Sequence, residues 1–457
     1  MLDSESLGVL LQALEKLDAG FAKLPEFQSS APGIERLAEV VAATAERLQD
    51  NYPYFHPLYA GQMLKPPHPV ARMAYALALW INPNNHALDG GRATSAMEKE
   101  AVAQIAGMFG WTNFLGHLCG GGTMANLEAL WVAGQLHPEK KILASEQAHY
   151  THGRISGVLQ LPFESVSTDG LGRMDTDALA KRLERSDVGM VVVTMGTTAT
   201  GSVDPLPAIL ALREKHGFRI HADAAYGGYF VLAENLGPDA KRAFSRIGEA
   251  DSIVIDPHKH GLQPYGCGCV LFRDPRVGRL YKHDSPYTYF SSAELHLGEI
   301  SLECSRPGAS AAALWATQKL LPLKNGGPFA RGLESGRKAA LALFQKLGTD
   351  SRFVTAFGPE LDILVFAPRA NSVSESSALS RKIFEAAAKR DLHLAVADLP
   401  IHFWEKGLGG MKRDCDSLTC LRSVLMKPEH LEWADRILEL LSEATSEVLS
   451  GKATAPR

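Results

Sequence analysis

A lysine between two histidines, in Asp256-Pro-His258-Lys259-His260-Gly, follows the apolar run Ser252–Ile255. Desolvation and like charge at such a place lower an ammonium's pKa, which favours the free amine, a nucleophile that forms Schiff bases with carbonyls. A second apolar run ends in an acid, Ile220-His-Ala-Asp223. A lone carboxylate is costly to bury, so Asp223 needs a partner: a helix cap, a salt bridge, or a proton on a cofactor ring. The stretch Leu118-Cys-Gly-Gly-Gly-Thr123-Met-Ala-Asn126 places three glycines where a helix opens. Bare backbone and a helix N-terminus suit a phosphate, although a tight packing turn has the same composition. No Gly-Lys-Ser/Thr is present, which excludes a P-loop. In Ser145-Glu-Gln-Ala-His149-Tyr-Thr-His152, His149 offers a stacking ring. The His149/His152 spacing also suits a metal, but no third ligand and no His-Glu-x-x-His accompany it, so no metal is expected.

These residues need elements that bring them together. Short β-rich runs occur at Lys141–Ala144, Met190–Met195, Phe218–Ala222, Ser252–Ile255 and Cys269–Phe272, with helical patterns such as Thr123–Leu136 and Leu206–His216 between most of them. The alternation predicts an α/β fold with a mainly parallel sheet, whose ligands sit where strands end. The last two runs are close, so one strand enters by a different connection. The interval between Asp223 and Lys259 holds one helical crossover, which puts both on one sheet edge. Beyond Leu323-Lys-Asn-Gly-Gly-Pro the pattern changes to a helix (Phe329–Leu347), strands (Glu360–Ala367, Leu392–Ala397, Leu418–Met426) and a final helix (Pro428–Leu449), a small α+β unit. Residues 1–50 carry helical periodicity (Leu7, Leu10, Leu11, Leu14; Ile34, Leu37, Val40, Val41). Residues 51–69, rich in Pro, Tyr and His, read as extended and irregular. Ser95-Ala-Met-Glu98 predicts a helix start. The expected units are 1–92, an N-terminal helical and extended segment; 93–325, the large α/β domain; and 326–457, the small domain, with a frayed tail from 451.

Composition narrows the class. A chain of 457 residues supports roughly three units of about 150 residues. With 47 basic and 51 acidic side chains it lacks the basic footprint of a nucleic-acid binder. Six cysteines without a Cys-x-x-Cys exclude a disulfide scaffold and a zinc ribbon. No signal peptide or membrane segment is visible, so a soluble, reduced, cytoplasmic protein is expected.

Taken in order, Gly121-Gly122-Thr123-Met-Ala-Asn126, His149-Tyr-Thr, Gly196-Thr-Thr198, Asp223-Ala-Ala225-Tyr and Asp256-Pro-His-Lys259 resemble the group II pyridoxal-phosphate-dependent decarboxylases, which act on aromatic amino acids, glutamate, tyrosine and diaminobutyrate. The resemblance runs from about Tyr54 to about Pro428. It implies the fold type I, aspartate aminotransferase-like architecture and pyridoxal 5′-phosphate as cofactor. By resemblance, Lys259 carries the cofactor, Asp223 pairs with its ring nitrogen, and Ala225 and His149 face the two sides of the ring. Thr198 lies near the ring's oxygen substituent. Gly122, Thr123 and His258 reach the phosphate. Arg422, in Leu421-Arg-Ser-Val, matches an arginine that holds the substrate carboxylate in several members, although a salt bridge would explain it equally. A loop tyrosine returns a proton to the α-carbon, with Tyr287 and Tyr289 as candidates. The implied reaction converts an L-amino acid to an amine and carbon dioxide; an aminotransferase or another carbon–carbon lyase of the same fold is the alternative. A homodimer is implied, with residues 1–50 as dimer surface and 51–92 on the substrate side. Two features depart from the family: Gly120 stands where serine is usual, and Arg154-Ile155 where Lys-Ala is usual. Tyr54, Phe55 and Tyr59 hint at an aromatic substrate pocket, Arg72 and Arg92 at an acidic one.

Overall fold

The computed structural model describes residues 4–27, 33–87, 89–282 and 300–451. Among these, seven strands form the larger sheet: β1 (Leu115–Cys119), β2 (Lys141–Ser145), β3 (Phe163–Val166), β4 (Val188–Thr194), β5 (Arg219–Asp223), β6 (Ser252–Ile255) and β7 (Gly268–Phe272). Their spatial order is β1-β7-β6-β5-β4-β2-β3. All neighbours are parallel except β7, which runs against both β1 and β6. Strand β4, Val-Gly-Met-Val-Val-Val-Thr, is buried throughout, as a central parallel strand covered on both faces must be. Its side chains alternate between two cores. Val191 and Val193 pack with Ile220 and Ile253, whereas Met190 and Val192 pack with Leu130 and Ile155 on the other face.

Two connections position the chemistry. The β5–β6 crossover through the helix Pro238–Ser245 keeps these strands parallel with Asp223 opposite Val254, so the loops after both open at one sheet edge. From β6 the chain turns back directly into antiparallel β7, and that return loop carries Lys259. Strand β1 then pairs along β7, setting Cys119 opposite Gly268 and landing the glycine turn beside the lysine loop. A Cβ on Gly268 would lie 2.5 Å from the backbone of Gly121, so this approach requires glycine.

The smaller sheet contains β8 (Phe353–Thr355), β9 (Ile363–Pro368), β10 (Ala395–Pro400) and β11 (Ser417–Val424), antiparallel in the order β10-β11-β9-β8. Helices Pro328–Thr349, Val373–Ala388 and His430–Ser450 close its core, which includes Leu343, Phe366, Ile383, Leu421 and Leu441. The extended segment is strapped to this sheet: His393 N–H donates to Leu58 O, Ala60 N–H to His393 O, and Val424 N–H to Ala60 O.

The helix expected to begin at Ser95 begins earlier, spanning Arg92–Met108 after Gly91. Glu98 does not cap it. Its carboxylate accepts from Leu118 N–H, Asn85 Nδ2 and Arg306 Nη1 in a buried network under the glycine turn. The helix Ile34–Leu48 has no buried residue, and Ile34 is 76% exposed.

Candidate active site

One cavity of about 600 Å³ is bordered by Gly120–Thr123, His149, Thr198, Asp223, Ala225, His258 and Lys259. The residues read from the sequence therefore converge, apart from Arg422 and the loop tyrosines. Tyr287 and Tyr289 lie outside the described residues.

At one end, the helix Gly122–Leu136 starts with no side-chain cap, so its first N–H groups face outward at the positive end of the dipole. Gly121 holds φ at +146°, and a Cβ there would meet His258 Cε1 at 3.2 Å. Thr151 Oγ1 lies 3.5 Å from Thr123 Oγ1. Gly120 N–H donates to Glu303 Oε2 at 3.0 Å, a contact sequence reasoning missed. The departure from serine is its signal: a Cβ at position 120 would sit 2.9 Å from Glu303 Oε1.

At the other end, Asp223 is buried, and its carboxylate is shared among donors. His152 Nε2–H donates to Oδ2 at 2.8 Å, Asn126 Nδ2–H to Oδ2 at 3.4 Å, and Ala225 N–H to Oδ1 at 3.1 Å. Burial alone would push Asp223 up. The His152 hydrogen bond and the nearby His152, His221 and Lys259 outweigh it and hold the carboxyl below its ordinary range. Behind it, Ser252 Oγ–H donates to His221 Nδ1 at 2.9 Å, and His221 Nε2–H donates to Asn126 Oδ1 at 2.8 Å. Burial lowers His221 to about 3, so it acts as a neutral relay of orientation. Spacing offered these partners. His221 shares a strand face with Asp223, Asn126 lies one turn along the helix from Gly122, and His152 lies one turn from His149.

Lys259 Nζ lies 3.2 Å from Asp256 Oδ2, whose carboxylate seats against Gly122. The like charge expected from the flanking histidines is absent. Burial lowers both His258 and His260, which leaves them neutral. His258 Nδ1–H donates to Cys267 O at 2.9 Å, and its ring leans on Tyr265 at 4.8 Å. His149, lowered by burial, accepts from Thr151 N–H and packs on Tyr150 at 4.5 Å.

Arg422 is buried outside the cavity lining. Nε–H donates to Ala199 O, Nη2–H to Thr198 O, and Nη1–H to Gly61 O and Gln62 Oε1. Among the described residues it forms no salt bridge; it ties the Thr198 loop and the extended segment to the small sheet. The aromatic residues near position 55 also do other work. Tyr54 and Tyr59 meet edge to face at 4.9 Å and pack with Tyr52 and His393. Arg72 and Arg92 are exposed and do not border the cavity.

An uncapped helix start, a buried ionised carboxylate and a lysine amine bordering one cavity fit pyridoxal 5′-phosphate. Comparisons with known proteins agree. Residues 51–368 match the pyridoxal-dependent decarboxylase conserved domain. The chain is 29% identical over 390 residues to an L-tyrosine decarboxylase of Enterococcus faecium, covering 63% of this chain and 64% of that protein. It is 29% identical over 318 residues to a probable L-tyrosine/L-aspartate decarboxylase of Methanothermobacter thermautotrophicus, covering 67% and 82% respectively. In fold it is similar to mouse CSAD, with a TM-score of 0.78 at 20% identity over 97% of this chain and 99% of that one. The chain belongs to the pyridoxal-dependent decarboxylase family, enzymes that release carbon dioxide from amino acids with pyridoxal 5′-phosphate.

Proposed function

We propose that this chain converts an L-amino acid to its amine and carbon dioxide with Lys259, Asp223, His149 and Tyr287 as its working groups. The observation that carries the reading is the pairing of Asp223, kept ionised by His152, with Lys259 on the adjacent loop at the same sheet edge. When bound, the cofactor supplies the electron sink for the bond to the leaving carboxyl. Lys259 would hold the cofactor through its amine. Asp223 keeps the ring nitrogen protonated, which makes the sink effective. His149 and Ala225 fix the ring plane, so substrate orientation selects the bond that breaks. Gly122, Thr123 and His258 hold the phosphate, and Thr198 lies beside the ring's oxygen substituent. Arg422 keeps that loop in place from behind the cavity, and the family resemblance alone assigns it to the substrate carboxylate. Tyr287 returns the proton to the α-carbon.

The units 1–92, 93–325 and 326–457 serve this site as dimerisation and substrate segment, cofactor domain and small domain. A homodimer is supported by the bare apolar face of Ile34–Leu48. No described helix is long and apolar enough to cross a membrane. All six cysteines are unpaired, which supports a reducing cytoplasm. The test is a comparison of carbon dioxide release from carboxyl-labelled amino acids by the parent and Lys259→Ala, both supplied with pyridoxal 5′-phosphate. Release by the parent alone supports the reading; release by both, or by neither across the proteinogenic set, overturns it.

A further inference from the structure

Asp362 is wholly buried at the start of β9, in the small sheet, far in sequence from the site it approaches. Its Oδ1 accepts a hydrogen bond from Tyr226 Oη at 2.6 Å, and its Oδ2 lies 3.3 Å from His260 Nε2 in a contact without hydrogen-bond geometry. Both partners are buried, at 3% and 1% exposure. Tyr226 directly follows Ala225 in the loop that begins at Asp223, and His260 directly follows Lys259. Their rings touch edge to face at 4.7 Å, and Phe230 packs on His260 at 5.1 Å. Charged groups also face the carboxylate: Lys65 from the extended segment and Arg422 from β11. On the remaining side Gly336, in the helix Pro328–Thr349, comes so close that a Cβ there would lie 3.6 Å from Oδ2.

We infer that Asp362 is a positioning residue, a clamp from the small sheet that fixes the loops carrying Asp223 and Lys259 relative to each other. One carboxylate holds Tyr226, next to Ala225, which faces the ring, by a hydrogen bond, and braces His260, next to the lysine that bears the cofactor, by contact with its ring and through the ring of Tyr226. A buried carboxylate shared by two loops stays in place only if both loops stay in register with it. Loosening it lets the ring plane and the lysine drift apart. Sub-ångström drift of that kind degrades orientation more than binding. Lys65 and Arg422 offset the charge without replacing either loop contact.

The clamp concerns the same site as the proposed decarboxylation and rests on that reading for its effect on products. The experiment therefore reads cofactor and products separately. Holoenzyme, Asp362→Ala, Asp362→Asn, Tyr226→Phe and the double variant Tyr226→Phe/Asp362→Ala are compared. The readouts are the visible circular dichroism of the bound cofactor, the pH midpoint of its absorbance, kcat, KM, and the share of carbonyl by-product. Expected for Asp362→Ala and Tyr226→Phe are a visible dichroic band reduced at least about twofold, a by-product share raised about fivefold, and KM within about twofold. Asp362→Asn, which keeps an acceptor for Tyr226, recovers most of the band. The double variant is no worse than Asp362→Ala, as expected when both substitutions break one link. A parent-like band, midpoint and partition in both single variants overturns the clamp, whatever happens to thermal stability. If Asp362→Ala does not fold, Tyr226→Phe decides alone, since it removes only a hydroxyl. A parent that releases no carbon dioxide overturns the proposed function, while the dichroic band still decides the clamp.

Discussion

Asp223 stays charged where burial opposes charge, because three donors converge on it. Replacing it with Asn keeps the shape and removes the charge proposed to hold a proton on the ring. Asp223→Asn is expected to lower kcat by about a hundredfold or more with the fold retained, checked by steady-state kinetics beside far-ultraviolet dichroism. Asp362 is the opposite case: burial raises it from 3.8 to about 6. A carboxyl raised in the folded state binds more protons there than in the unfolded chain. Its contribution to stability therefore falls as pH rises from about 4 to about 6, by about 3 kcal/mol at most. Asp362→Asn lacks this loss, so its melting temperature relative to the parent should climb across that window and level off above it. A pH-independent difference would refute the assignment. The two acids also differ in legibility. Asp223 could be read because its motif lies past a strand end. Asp362 and Glu303 could not, because each meets its partners only through the fold.

At the scale of elements, the glycine turn is the most demanding piece. Gly121→Ala puts a Cβ against His258 at a φ that L-residues avoid, a strain of about 1–3 kcal/mol. It should weaken cofactor retention in dialysis while leaving the helix Gly122–Leu136 formed. Glu303 adds a carboxylate to the same turn, the proposed phosphate site. Glu303→Gln keeps the Gly120 contact without the charge and should tighten pyridoxal 5′-phosphate affinity about two- to fivefold, measured by fluorescence titration; unchanged affinity would show that the charge is felt elsewhere. The apolar runs of β4 and β6 were readable because their burial on both faces leaves consecutive Val and Ile, Val191–Val193 and Ile253–Ile255. Strands β1 and β3 were not. Strand β1 carries His117, a polar side chain buried against Glu128 at 2.9 Å and Leu118 O at 2.8 Å, and β3 is half exposed around Glu164. The helix start at Ser95 was misplaced because Glu98 serves a tertiary network rather than a cap.

For the whole molecule, the face of Ile34–Leu48 is the open account. Leu37, Val40 and Val41 are 48%, 49% and 58% exposed on a single chain, a stripe that the proposed homodimer would cover. Val41→Glu should shift sedimentation toward the monomer and reduce turnover with it; a dimer of unchanged affinity would place the interface elsewhere. This scaffold is proposed to break the bond to the carboxyl rather than the bond to the α-proton. Product accounting on the holoenzyme tests that most directly, with carbon dioxide, amine and keto acid quantified together for each amino acid that is turned over. The expected result is amine and carbon dioxide in a ratio of about one, with keto acid a minor product. Stoichiometric keto acid without carbon dioxide would contradict the account and make the chain an aminotransferase.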